Sequence, residues 1–161
     1  MAGMPLPKFG YESGVERLQI AALPYRVHGG KVQILLISSR ETKRWVLPKG
    51  WPMKGRTMHG SAAREAREEA GIAGDIEKTP FGSYRYYKRR KDGAVQLVRV
   101  SVYPLRVERQ HKTWVEKGQR VLAWFSPAEA AENVHESELS DLILRFEAVE
   151  SGWIEAARPQ V

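Results

Sequence analysis

The sequence predicts an α/β domain, a mixed β-sheet with helices packed on it. Three observations carry this. Runs rich in branched and aromatic residues recur between Leu18 and Phe125 around glycine-containing turns, the segment over 57–70 is built from Ala, Arg and Glu, and an apolar stripe at helical spacing closes the chain.

Taken in order, Met1 to Ser13 holds Pro and Gly without periodicity and reads as an N-terminal arm (1–13), leaving 14–155 as a single domain. Leu18 to Val27, the Gly29-Gly30 turn and Val32 to Ser38 read as a hairpin. Trp45-Val46-Leu47 is a short apolar segment stopped by Pro48, and Lys49 to Arg56 is a Gly-, Pro- and Lys-rich loop. A helix follows, with Thr57 as N-cap, Met58 to Ala70 as its body and Gly71 at C′. Phe81 to Tyr87 and Ala94 to Val107 read as strands around Lys91-Asp92-Gly93, and Val121 to Phe125 as another. Ser126-Pro127-Ala128-Glu129 has the form of a capping box opening a short helix. Leu139, Leu142, Ile143, Phe146 and Val149 then define one face of a final helix against the sheet.

Composition bounds the function. The 161 residues are 42% hydrophobic and 28% charged, an ordinary globular balance for about one domain. No aliphatic run exceeds Ile34 to Ile37, and Met1 to Gly10 lacks the apolar core of a secretion signal, so a cytoplasmic address without a membrane span is expected. With zero cysteines, disulfides, thiolate metal sites and cysteine nucleophiles are excluded, and a metal must be held by oxygen or histidine. The net charge of +7 favours an anionic partner. It is unevenly spread: six cations and one acid lie between Arg40 and Arg56, five cations and no acid between Arg85 and Lys91, and eight acids with one arginine between Pro127 and Ala157.

Within the helix, Glu65, Glu68 and Glu69 stand at i, i+3 and i+4, within about a third of the circumference. Ala63, Ala66 and Ala70 gather on another face, small enough for close approach to a sheet. Three like charges on one face repel one another unless something neutralises them; hard oxygen ligands suit Mg²⁺ or Mn²⁺, whereas a solvated face with Arg64 paired to Glu68 is the plainer alternative.

The stretch from Gly50 to Ile72 resembles the Nudix box of the Nudix hydrolase family: a Gly, five residues, a Glu, seven residues, then Arg-Glu-aliphatic-x-Glu-Glu-x-Gly-aliphatic. Gly50, Arg64, Glu65, Glu68, Glu69, Gly71 and Ile72 stand where that pattern wants them, and Ala66 is a small version of its aliphatic position. Arg56 stands where the first Glu is expected. The resemblance implies a Nudix-like α/β/α sandwich, with the Nudix helix at about 57–70 and a C-terminal helix packed on the mixed sheet. It implies that Glu65 and Glu69 ligate metal, that Glu68 ligates metal or activates water, and that Arg64 orients the glutamates, making Glu68, Glu65 and Arg64 the catalytic candidates. The Lys49 backbone carbonyl is a further candidate ligand. Either Glu108 or Glu116 would supply a downstream acid.

Ser38-Ser39-Arg40, Arg44 to Gly50, Lys88-Arg89-Arg90-Lys91 and Trp114 through Arg120 to Phe125 are similar to the branch of that family acting on diphosphoinositol and dinucleoside polyphosphates. That similarity makes Ser38, Ser39, Arg40, Arg44, Lys49, Gly50, Arg56, Lys88, Arg89, Arg90, Lys91 and Arg120 candidate substrate contacts. Arg grips phosphate bidentately and Lys supplies point charge. The implied activity is Mg²⁺-dependent hydrolysis of a phosphoanhydride bond in an anionic small molecule. Removal of pyrophosphate from an RNA 5′ end and a non-catalytic nucleotide- or nucleic-acid-binding module are the alternatives; ADP-ribose, with two phosphates, calls for fewer cations. Tyr84, Tyr86 and Tyr87 are able to stack on a base but fit strand packing better, and His59 reads as an exposed residue of the first helical turn.

Overall fold

The computed structural model describes residues 16–157, so the expected arm over 1–13 lies outside the described residues. The long strands β1 (Arg17–His28) and β2 (Lys31–Ser38) form the hairpin expected around Gly29-Gly30, pairing from Tyr25↔Ile34 to His28↔Lys31. Both glycines take positive φ, 59° and 76°, which the tight turn requires. Next come β3 (Trp45–Val46), β4 (Lys49–Gly50), α1 (Met58–Ala70), β5 (Ile72–Ile76), β6 (Gly82–Arg89), β7 (Val95–Gln110), β8 (Leu122–Phe125), α2 (Pro127–Asn133) and α3 (Ser137–Ala157).

One mixed sheet runs in the order β3-β2-β1-β7-β5, with β4 also on β1, β6 on β7 and β8 on β2. β1 and β7 run parallel over Arg17↔Val98 to Tyr25↔Arg106; the other strand pairs are antiparallel. The period of two divides each central strand between two cores. Ala21, Leu23 and Tyr25 of β1 join Ile34 and Leu36 of β2 on one face, while Ile20 and Ala22 join Leu35 and Ile37 on the other. The first core is closed by Ala130, Val134, Leu139, Leu142, Ile143 and Phe146 of α2 and α3, the second by Ala62, Ala66 and Ala70 of α1. The architecture is the expected α/β/α sandwich. Phe146 sits edge-on to Tyr25 (4.8 Å) and Phe81 (5.3 Å), anchoring α3 to the sheet. No helix among the described residues is long and apolar enough to cross a membrane.

Both helix starts follow their sequence signals. Thr57 accepts a hydrogen bond from the Gly60 N–H, and Ser126 and Glu129 form the reciprocal capping box. Gly71 takes the left-handed conformation at the end of α1, with φ 67°.

Four details correct the sequence reading. The alanines under α1 are Ala62, Ala66 and Ala70, whereas Ala63 is only partly buried; spacing of four keeps one edge of a helix on the sheet, and residue 63 is rotated off it. Val149 is 46% exposed while its neighbour Glu150 is partly buried, so that turn of α3 is rotated off the stripe and the apolar face ends at Phe146. Lys49 and Gly50, read as loop, form a short strand on β1. β5, which the sequence hid behind Gly74 and Asp75, pairs with β7 around a bulge between Ala73 and Gly74. A Cβ on Gly74 would lie 1.8 Å from the Arg106 carbonyl oxygen, so glycine there is a requirement of close backbone approach.

Candidate functional site

The site is built where β4 meets α1. Because β4 pairs with β1 through Ile20↔Gly50 and Ala21↔Lys49, the backbone of residues 49 and 50 is held against the middle and last turn of α1. The loop between them is pinned by the Met53 N–H donating to Ser61 Oγ (3.0 Å). The Lys49 N–H donates to Glu69 Oε1 at 3.3 Å. At Gly50 the fit is closer: a Cβ built there would stand 2.3 Å from Glu65 Oε1 and 2.6 Å from its Cδ, so the missing side chain is the space the Glu65 carboxylate fills.

Glu65 and Glu69 are hydrogen-bonded to each other. Two carboxylates so placed disfavour ionising together. Burial, then the hydrogen bond and repulsion from Glu69, then the charges of Glu68 and Glu116, push the Glu65 pKa up to about 8. Burial also pushes Glu69 up, against the pull of its bond to Glu65 and of Arg120. Glu68 is turned aside and takes a 2.7 Å hydrogen bond from Arg64 Nε, the i,i+4 pair weighed as the plainer alternative. Of the helix trio, the structure therefore brings two carboxylates together and holds the third beside its arginine.

The loop between β7 and β8 closes the far side. The His111 and Glu116 N–H groups donate to the carbonyls of Gly71 (2.7 Å) and Glu68 (3.0 Å), docking the loop on the end of α1. Glu116, not Glu108, is thus the downstream acid that reaches the site; Glu108 lies on β7 beside the Gly74 bulge. Arg120 is 10% exposed, and its guanidinium donates to Glu116 Oε1 (2.9 Å) and to the Ser38 carbonyl (3.0 Å) and stands 3.8 Å from Glu69 Oε1. Arg40 reaches the same Glu116 oxygen at 3.8 Å from the exposed side.

The remaining candidates separate into groups. Ser39 Oγ accepts from the Arg44 N–H and braces the turn over 39–44, while Ser38 Oγ accepts from the Val121 N–H and ties the end of β2 to the residue before β8. Lys88 and Arg90 line a recess of about 260 Å³ with Arg17, Trp51 and Gln96, while Arg89 and Lys91 are exposed at the hairpin tip. Arg56 lines a different recess, of about 350 Å³ between α1 and β5, with Arg64 and Arg67. The cations that run together along the chain are therefore not one surface. Lys49 joins the first group to the carboxylates: its Nζ lies 5.3 Å from the Tyr86 ring centre, and burial pushes its pKa down while Glu69 pulls it up. Tyr84 is buried in the core, as strand packing requires, and Tyr86 donates to Gln19 Oε1 at 2.7 Å. His59 is partly buried, 3.4 Å from Thr57 Oγ1.

The donor set fits a divalent cation in its chemistry. All its side-chain donors are carboxylate oxygens, and Glu65 and Glu69 are already crowded enough to retain a proton that a cation would displace. Among the described residues no three acidic or histidine side chains converge on one point, since Arg64 and Arg120 hold Glu68 and Glu116.

Comparison with known proteins agrees with this layout. The NUDIX domain model matches residues 16–146. Nudix hydrolase 21, chloroplastic, of Arabidopsis thaliana is 30% identical over 140 residues, covering 84% of this chain and 69% of the relative. Nudix hydrolase 16, mitochondrial, of the same plant is 31% identical over 147 residues, covering 83% and 81%. Among solved structures, the C. elegans Ap4A hydrolase superposes with a TM-score of 0.58 over 84% of this chain and 98% of its own, at 21% identity, a likeness of fold.

Proposed function

The chain belongs to the Nudix hydrolase family and is an enzyme that hydrolyses pyrophosphate bonds; from that premise we propose that it cleaves a phosphoanhydride bond in a polyphosphorylated small molecule, a dinucleoside polyphosphate or a diphosphoinositol polyphosphate, with Mg²⁺ or Mn²⁺. The observation that carries this reading is the neighbouring Glu65 and Glu69, the first fitted into the space left by Gly50 and the second buried and bonded to the Lys49 N–H.

Enzymes of this family generally use divalent metals. Glu65 and Glu69 would hold the ion, with Glu68 and the Lys49 backbone carbonyl beside them. When bound, such an ion neutralises diphosphate charge and helps to make hydroxide near neutral pH. The chain's own part is positional. Glu68 accepts the proton of the attacking water as the water oxygen bonds to phosphorus and the bridging P–O bond breaks, and Arg64 keeps the Glu68 carboxylate oriented for that role. Arg120 holds Glu69 and Glu116 from behind. Lys49, Lys88 and Arg90 face the negative oxygens of the substrate.

The test is product formation with Mg²⁺ or Mn²⁺ on diadenosine polyphosphates, a diphosphoinositol polyphosphate, ADP-ribose and triphosphorylated RNA, with Glu65→Gln and Glu68→Gln alongside. Turnover of one of the first two that collapses in both variants is the expected result. Preference for triphosphorylated RNA or ADP-ribose, or turnover unaffected by either variant, would overturn it.

A further inference from the structure

Resting for its chemistry on the polyphosphate-cleaving reading, we infer that the recess between the start of β1 and the β6–β7 hairpin is a nucleobase subsite, which assigns the substrate to the dinucleoside polyphosphates rather than the inositol compounds.

Trp51 follows directly on Gly50, so the residue whose missing side chain admits the Glu65 carboxylate is the neighbour of the recess's one aromatic wall. Its indole is 38% exposed, although Tyr25, Tyr84 and Phe146 are each at most 7% exposed. Arg17 places its guanidinium 4.8 Å from the indole centre, and Lys88 and Arg90 share the recess. Gln96, buried and donating its amide to the Leu97 carbonyl, lines the recess as well.

This combination discriminates between the two ligand chemistries. A phosphorylated inositol ring presents hydroxyls and phosphates around its edge and has no π-face, so it gains charge pairing from Arg17, Lys88 and Arg90 and little from the indole. A purine gains both: its face stacks on the indole or on the guanidinium layered over it, and the phosphates it carries meet the lysine and arginines. The volume of about 260 Å³ is below the ~300–1,000 Å³ that encloses a whole drug-sized ligand, so one base with its adjoining phosphate is what the recess takes. The rest of the ligand leads inward past Lys49, whose ammonium lies over Tyr86 and whose backbone N–H is bonded to Glu69.

The experiment uses the full chain in EDTA, so that binding is read without turnover, and compares ATP with inorganic tripolyphosphate by calorimetry. ATP is expected to bind about tenfold tighter, the increment of one stacked base. Trp51→Ala should abolish that preference by weakening ATP about tenfold while tripolyphosphate changes by less than about twofold, and Trp51→Phe should keep most of it. Equal affinity for the two ligands, or equal weakening of both by Trp51→Ala, would overturn the subsite. Trp51 is exposed, so loss of fold is not expected, and circular dichroism of each variant checks this. Failure of the two readings looks different: Trp51-dependent ATP binding without turnover of any phosphoanhydride sinks only the hydrolysis reading. Turnover of a diphosphoinositol polyphosphate with no preference for ATP sinks only the subsite.

Discussion

Substituting Gly50 by alanine tests the geometry of the carboxylate pair directly. The new methyl carbon would stand 2.3 Å from Glu65 Oε1, 2.6 Å from Cδ and 3.0 Å from Oε2, against the ~3.5 Å of an ordinary non-bonded contact. The carboxylate must therefore retreat by roughly 1 Å, and it can do so because it ends a flexible side chain. Gly50 is not among the residues with positive φ, so alanine adopts the same backbone and even restricts the unfolded chain. Stability should change by less than about 1 kcal/mol. Activity should not be spared: a 1 Å displacement of a group that fixes reacting partners costs about 100-fold in kcat/KM, or about 2.7 kcal/mol of transition-state stabilisation.

Steady-state kinetics on the preferred substrate, Mn²⁺ affinity by electron paramagnetic resonance and a urea titration separate the two effects. Adding Glu65→Asp withdraws the carboxylate by one methylene, so the double variant should lose less than the product of the single losses. Wild-type kcat/KM and Mn²⁺ affinity in Gly50→Ala would refute the argument, because they would mean that the place Glu65 occupies beside Gly50 is not the place from which it works.

In the metal-free protein, Glu65 binds a proton in the folded state up to about pH 8 but in the unfolded chain only up to about 4.5, so the folded state binds the extra proton between those values. Stability should fall as pH rises through that window, and Glu65→Gln should flatten the fall; thermal melts in EDTA at pH 5 to 8 check both. Mn²⁺ should displace the same proton, and calorimetry at about pH 7 in buffers of different ionisation enthalpy should show net proton release. Arg120→Met leaves the partly buried Glu116 with only the more distant Arg40 and should cost about 2 kcal/mol in urea unfolding, whereas a loss under ~0.5 kcal/mol would show that the pair is not holding the loop. Gly71→Ala meets a φ of 67° and places a methyl 2.3 Å from Trp114, so it should lose at least about 2 kcal/mol. Gly29→Ala, at φ 59° with nothing within 4 Å, should lose only the backbone part of that.

The local frame of the site was legible because its signals are short in range. Thr57, Gly71 and the glutamate spacing lie within one helix, and caps and periodicity are properties of neighbouring residues. Ser126 and Glu129 announced α2 for the same reason. The two-residue strand β4 was not legible, since a pair of residues has no period and its strand character exists only through β1. Nor was the choice of Glu116 over Glu108, which depends on a loop folding back to bond the Glu68 carbonyl 48 positions earlier, 116 against 68. The charge runs misled in another way. By sequence Arg40, Arg56 and Lys88 are all candidate substrate contacts, yet Arg40 stands at Glu116, Arg56 in the recess beside Arg64, and Lys88 in the recess beside Trp51.

That distribution also bears on how a positively charged enzyme keeps a carboxylate pair usable. Arg120 and Lys49 both stand near Glu69, and were they alone they would hold it ionised and compete with any added cation. Glu116 changes the balance, because Arg120 lies closer to it, 2.9 Å against 3.8 Å to Glu69. Burial weakens the hold of Lys49 in the same sense, lowering the pKa of the ammonium that lies toward Tyr86. Each cation beside Glu69 is thus partly committed elsewhere, and the Glu65–Glu69 pair keeps a proton of its own in place of a permanent counterion. A proton is a weaker occupant than a guanidinium, so the arrangement leaves the pair open to a divalent ion while the same Lys49 remains available, two residues from Trp51, to meet the phosphates that lead to it.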